Sequence, residues 1–209
     1  MARYLPSLTN IIVIASFAFL PCASPLARWR VYAFDAESFV LDSRLLTPAP
    51  QIHRSTTAPR ADMPAIPAAW QVSAALMADV TGDGAQEWVL IVWRPWQDWP
   101  IQAWTTAPSP IAGYHDAAGD SCHLILLDPR TGREIWAGSA LPAPLLALAV
   151  GDVDGDGRSE LAALEGDYAT GRAGPASHVN VWRWNGFGFS LQWRSAAGSF
   201  RRIFLTPAH

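Results

Sequence analysis

Short apolar runs, separated by Gly, Asp and Pro, set the rhythm of the chain from its middle onward. "VSAALMA" (72–78) and "EWVLIVW" (87–93) flank one acidic stretch; "LLALAVG" (145–151) and "ELAALEG" (160–166) flank another. Runs of this length, bounded by turn residues, predict buried strands rather than helices. A tight connection between two such strands makes a hairpin. Further on, "HLILLDPRTGREIWAG" from His123 and "HVNVWRWNGFGFSLQWRS" from His178 each predict a strand, a turn and a second strand. "DPRTG" and "NGFG" supply the turn chemistry. The start of the chain is patterned differently. Behind Arg3, the span Leu5 to Ala27 carries no charge, and Ile11 to Leu20 has the length of a signal-peptide core. The whole span is also long enough to cross a bilayer. Residues 1–27 therefore predict an N-terminal apolar helix that is either a signal peptide or a membrane anchor. Residues 28–69, rich in Pro, Ala and Thr toward their end, predict an extended lead-in or linker, with room for a strand in "RVYAFDAESFVLDSRLL".

The acidic stretches repeat. "DVTGDGAQEW" starts at Asp79 and "DVDGDGRSEL" starts 73 residues later at Asp152. Asp79 matches Asp152, Thr81 matches Asp154, Asp83 matches Asp156, and Glu87 matches Glu160. The second stretch puts four carboxylates within nine residues. Without a counter-charge they repel one another. Alternating acids in a loop that glycine allows to curl bring their oxygens toward one point, which suits a hard cation such as calcium. The alternative is a metal-free hairpin held by Asx-turns. Each unit thus offers four strands, two around the acidic loop and two around the later turn. Four-stranded units repeated in sequence predict an all-β fold of propeller-type blades. They lie at about 70–140 and 141–198, within a region spanning 70–209. Since rings typically hold about four to eight blades, two would make an incomplete propeller. The first unit carries an insertion at about 94–120. From Glu87 to His123 is 36 residues, against 18 from Glu160 to His178. Its Trp96, Trp99 and Trp104 are expected to pack down on the flank of the blade, with an exposed contact surface as the alternative.

The loop pattern D-x-[DT]-G-D-G-x-x-E between two apolar strands resembles the FG-GAP/VCBS repeat, which builds the propeller of integrin α-subunits and of many secreted bacterial proteins. The resemblance covers about Trp70 to Arg194. It implies calcium held by carboxylates at loop positions one, three, five and nine and by the carbonyl at position seven. In the second loop these are Asp152, Asp154, Asp156, the Arg158 carbonyl and Glu160. In the first they are Asp79, Asp83, the Ala85 carbonyl and Glu87, while Thr81 stands where the pattern has a charged ligand. The first loop is therefore expected to bind more weakly, and Asp156→Ala to do more harm than Asp83→Ala. Neither loop is an EF-hand, because Leu90 and Ala163 occupy the place of its bidentate glutamate. "LLDPRTGREIW" further resembles the strand–turn–strand of quinoprotein-type propellers, in which the Trp docks against a neighbouring blade. That resemblance implies architecture and brings no quinone site with it.

Composition narrows the function. A net charge of −3 argues against nucleic acid as partner. Two cysteines, Cys22 and Cys122, exclude a disulfide scaffold. No nucleophile elbow, phosphate loop or HExxH motif occurs. His123 and His178 hold equivalent places in the two units, and His115 beside Asp116 is too little for a catalytic site. The sequence thus predicts an exported, extracytoplasmic, calcium-stabilised binding module without catalysis of its own, which meets a protein or a carbohydrate. The alternative is a fragment or accessory subunit of a larger propeller enzyme, polysaccharide- or quinone-active, or of a membrane-associated complex. Two open blades would expose apolar flanks, so self-association or a covering partner is expected.

Overall fold

Among the described residues the chain forms twelve strands: β1 (Ile11–Ser16), β2 (Arg28–Asp35), β3 (Ser38–Leu41), β4 (Gln71–Ala78), β5 (Glu87–Pro95), β6 (Asp120–Leu127), β7 (Glu134–Ala137), β8 (Leu145–Gly151), β9 (Glu160–Glu165), β10 (His178–Trp184), β11 (Phe189–Arg194) and β12 (Arg202–Thr206). The structure, a computed structural model, describes residues 11–16, 28–35, 38–41 and 63–206, and before residue 63 the side chain of Phe39 alone. The strands form antiparallel sheets of four, β4-β5-β6-β7 and β8-β9-β10-β11, and a further sheet in the order β12-β1-β2-β3. The first two are the four-stranded units that the repeat predicts.

Strands β5 and β9 are apolar through their middles because both of their faces are covered. On β5, Val89, Ile91 and Trp93 point into a core shared with Leu161 and Ala163 of β9. Trp88, Leu90 and Val92 point the other way, where Met63, Ile66 and Trp70 of the lead-in pack against them. On β9, Ala162 and Leu164 face a second layer that includes Phe39 and Ile203. The sheet β8–β11 is therefore packed on both sides, by β4–β7 on one and by β12 and β3 on the other. At the level of strands, β8 lies against both β4 and β12. The final strand of each repeated sheet carries a Trp across the gap. Trp136 of β7 sits 6.0 Å from Trp184 and 5.5 Å from Phe189, ring centre to ring centre. Trp193 of β11 sits 5.2 Å from Phe39. Aromatic pairs at these distances favour tilted and edge-on contacts, as here.

The third sheet departs from the sequence reading. Most of the expected N-terminal helix lies outside the described residues, but within it Ile11–Ser16 form β1, paired with β12 on one side and β2 on the other. "IIVIAS" is dominated by β-branched side chains, which fit a pleated strand better than a helix. Strands β2 and β3 fall in the lead-in, where the sequence leaves room for a strand in "RVYAFDAESFVLDSRLL". The repeat could not reveal this sheet, because its β12 comes from the far end of the chain and no acidic loop joins it to β1. The Trp-rich insertion also differs from expectation. Trp96 is tucked in, donating its indole N–H to the Ile111 carbonyl at 3.1 Å. Trp99, in contrast, is 43% exposed and Trp104 is 89% exposed, around a 3-10 turn over Pro100–Trp104. This short turn buries none of its own residues and so does not hold the two indoles against the sheet. Among the described residues no helix is long and apolar enough to cross a membrane.

Candidate metal centre

Both acidic loops close on equivalent strand pairs. Ala78 faces Glu87 across β4 and β5, and Gly151 faces Glu160 across β8 and β9. Between these pairs the chain must turn sharply, and glycine takes the left-handed residues: Gly82 and Gly84 have φ of 76° and 87°, and Gly155 and Gly157 have 78° and 87°. A side chain at such φ is strained. The position-one aspartate straps the curl. Asp79 accepts the amides of Gly82 at 2.7 Å and Gly84 at 2.9 Å. Asp152 accepts those of Gly155 at 2.6 Å and Gly157 at 2.9 Å. The position-five aspartate then accepts the amide two residues on: Asp83 from Ala85 at 2.8 Å, and Asp156 from Arg158 at 2.9 Å. The straps made by the position-one and position-five aspartates are the same in the two loops.

The position-nine glutamates sit beneath the loops, 2% exposed for Glu87 and 1% for Glu160. Glu87 accepts the amides of Val80 and Thr81 and the Thr81 hydroxyl, the last at 3.2 Å. Glu160 accepts the amide of Val153 at 3.1 Å. Burial raises the carboxyl pKa of Glu87 against these opposing hydrogen bonds. Burial likewise pushes Glu160 up to about 7, with the charge of Asp154 adding to the effect. An entering dication would reverse the direction by favouring the ionised forms.

In the first loop, Asp79, Asp83 and Glu87 bring one carboxylate oxygen each within 4.8 Å of one another; in the second, Asp152, Asp154 and Asp156 do the same. These groups are oxygen donors throughout, the set that calcium takes and that zinc or copper does not prefer. Thr81 is held at the edge of the first group by its bond to Glu87, and Ala85 and Arg158 contribute their amides to the turn. Glu160 stands apart from the second group because it is claimed by a basic side chain. Arg183 of β10 donates Nε to Glu160 Oε1 at 3.0 Å, and its Nη2 lies 2.9 Å from the same oxygen and 3.3 Å from Asp156 Oδ2. Nη2 also bonds Asp154 Oδ2. Nothing in the repeat alignment points to Arg183, since it falls opposite Asp128, a turn residue.

The other polar side chains that the sequence singled out have structural partners. His115 Nδ1 meets the backbone carbonyl of Asp116 at 2.9 Å, so the two do not form an imidazole–carboxylate pair. The Asp116 carboxylate instead accepts the amides of Ala118 and Asp120 and pairs with Arg172 at 3.2 Å. Arg172 also takes Asp120 and Gln71 and lies 4.3 Å from the ring centre of Trp93. It ties the β9–β10 connection to the sheet β4–β7. His123 is buried, bonded to Gly138 O at 2.9 Å and Ser121 Oγ at 2.8 Å. Cys122 is fully buried, and burial pushes its thiol up to about 12, far from reactivity. No family model, curated protein or solved structure matches the chain.

Proposed function

We propose that the chain is an exported, calcium-stabilised interaction module of the β-propeller type, with repeats of the FG-GAP/VCBS kind and no catalysis of its own. The observation that carries this reading is the convergence of carboxylates in two loops of the same hydrogen-bonded shape. Calcium is held at Asp79, Asp83 and Glu87 in the first loop and at Asp152, Asp154 and Asp156, with Glu160 below them, in the second. Its role is structural, since a ligand that binds the folded state alone stabilises it by mass action. The packing of four-stranded sheets through their first strands supports the propeller reading. The exposed Trp99, Ile101 and Trp104 offer a contact face for a protein or carbohydrate partner. The acid pair Asp116 and Asp120 is bound to Arg172 rather than facing an open cleft, and so gives no support to hydrolysis by paired carboxylates.

The test is thermal melting of the full chain with calcium and with chelator, beside elemental analysis of the purified protein. Calcium should co-purify and raise the melting temperature. Metal-free protein whose melt ignores added calcium would overturn the proposal.

A further inference from the structure

The two loops share one fold and differ in what balances their charge. The first has carboxylates at positions one, five and nine and neutral Thr81 at position three. Among the described residues, no basic side chain pairs with Asp79, Asp83 or Glu87. The second has a fourth carboxylate, Asp154, and with it Arg183, whose guanidinium reaches Asp154, Asp156 and Glu160 together. The added acid and the added base cancel among the ligand side chains, and Arg158 adds a further positive charge to the second loop where the first has Ala85. The exchange is also visible on the neighbouring strand. Leu127 pairs with Trp88, and Trp182 with Leu161, so the next residues, Asp128 and Arg183, hold equivalent places. Asp128 turns away and accepts the amides of Arg130 and Thr131 at 2.8 and 2.9 Å. Arg183 turns in.

We propose that Arg183 is a built-in counter-ion of the second loop, and that it makes the first loop the one whose folding depends on calcium. The proposal rests on the calcium reading of the loops and reverses the ranking that the count of acids suggests. A carboxylate as buried as Glu160 needs a partner, and the guanidinium supplies one without metal. Arg183 is tethered by β10, so it competes with calcium as an intramolecular ligand at high effective concentration. Calcium that drew Asp154 and Glu160 into its shell would have to expel a like charge from its side. The expelled group has somewhere to go. A pocket lined by Phe39, Gln192 and Trp193 opens beside Arg183, and an indole face accepts a guanidinium. The second loop therefore keeps its shape without metal and binds calcium weakly, whereas the first has only the metal to relieve its repulsion.

Calcium titration and thermal melting of the full chain decide this, using wild type, Asp83→Asn, Asp156→Asn, Arg183→Gln and Arg183→Lys. Wild type should show a tighter and a weaker binding step, and Asp83→Asn should remove the tighter one. Arg183→Gln should strengthen the weaker step by about tenfold or more, the scale of a lost close charge pair. In chelator it should melt below wild type, and calcium should close that gap. Arg183→Lys keeps the charge without the planar fork and should fall between the two, which preserves the test if the glutamine variant does not fold. Loss of the tighter step in Asp156→Asn, or a weaker step untouched by either Arg183 variant, would overturn the proposal. If no variant binds calcium, the calcium reading itself fails. The counter-ion role is then judged by the chelated melts alone, where an Arg183→Gln protein as stable as wild type refutes it.

Discussion

His123 shows how one buried side chain sets a response to pH. Burial lowers its pKa from the ordinary histidine value, because the charged ring is poorly solvated and Arg94 stands beside it. The folded protein then holds His123 neutral at a pH where the unfolded chain has begun to protonate it. Its contribution to stability is full above about pH 6.5, the unfolded value. It is lost as pH falls from there toward the lower folded pKa, since the unfolded state binds the extra proton. Denaturant titrations between pH 7.5 and 5 on wild type and His123→Gln should show this, as pH ranges chosen about the histidine value. The wild-type curve should fall more steeply toward acid than the variant's. Equal slopes would place the acid sensitivity elsewhere. Arg172 belongs to the same scale, because its one guanidinium joins Asp116, Asp120 and Gln71 of one sheet to the loop of the next.

At the scale of elements, the acidic loops are β-hairpin connections whose form depends on left-handed glycines. Gly84 and Gly157 both have φ of 87°, and a Cβ at either would meet nothing within 4 Å. Space is therefore no obstacle to alanine, and the whole cost is conformational. Gly84→Ala and Gly157→Ala should each destabilise by about 1–2 kcal/mol, the penalty for a left-handed L-residue. The two costs should match in saturating calcium, where both loops hold one backbone shape. Urea unfolding of the two variants measures this. A loss near 4 kcal/mol at one site alone would show that its glycine does more than permit a turn.

The whole molecule is held at its ends by one sheet. In the order β12-β1-β2-β3, the strand β12 finds its sheet partner in β1 and reaches β2 only through it. Removing residues 1–27 takes β1 away, leaves β12 unpaired on that side and opens an edge of β2. Unpaired edges invite association with other chains. The truncated protein should melt at a lower temperature than the full chain and should self-associate, which calorimetry and light scattering record. A monodisperse monomer with an unchanged melt would show that the other two sheets suffice.

The sequence alone determined the features that depend on neighbours in the chain. Both acidic hairpins, their glycine turns, the Asx-type straps of Asp79 and Asp152, and the apolar middle strands β5 and β9 were legible. In the loops the hydrogen-bond partners lie within a few residues, and in the strands the apolar pattern reports the burial of that same strand. The cross-sheet role of Trp136 was legible too, through its place in a strand–turn–strand pattern. Tertiary structure alone decided the rest. Glu160 meets Arg183 across 23 residues, and Arg172 meets Asp116 across 56. Residues 11–16 join a sheet with residues 202–206 from the other end of the chain. An ion pair or a strand pair of that separation leaves no periodicity to read, because its geometry is fixed by how sheets stack and not by spacing along the chain. The charge count of the second loop could not include Arg183, since that side chain arrives from another strand.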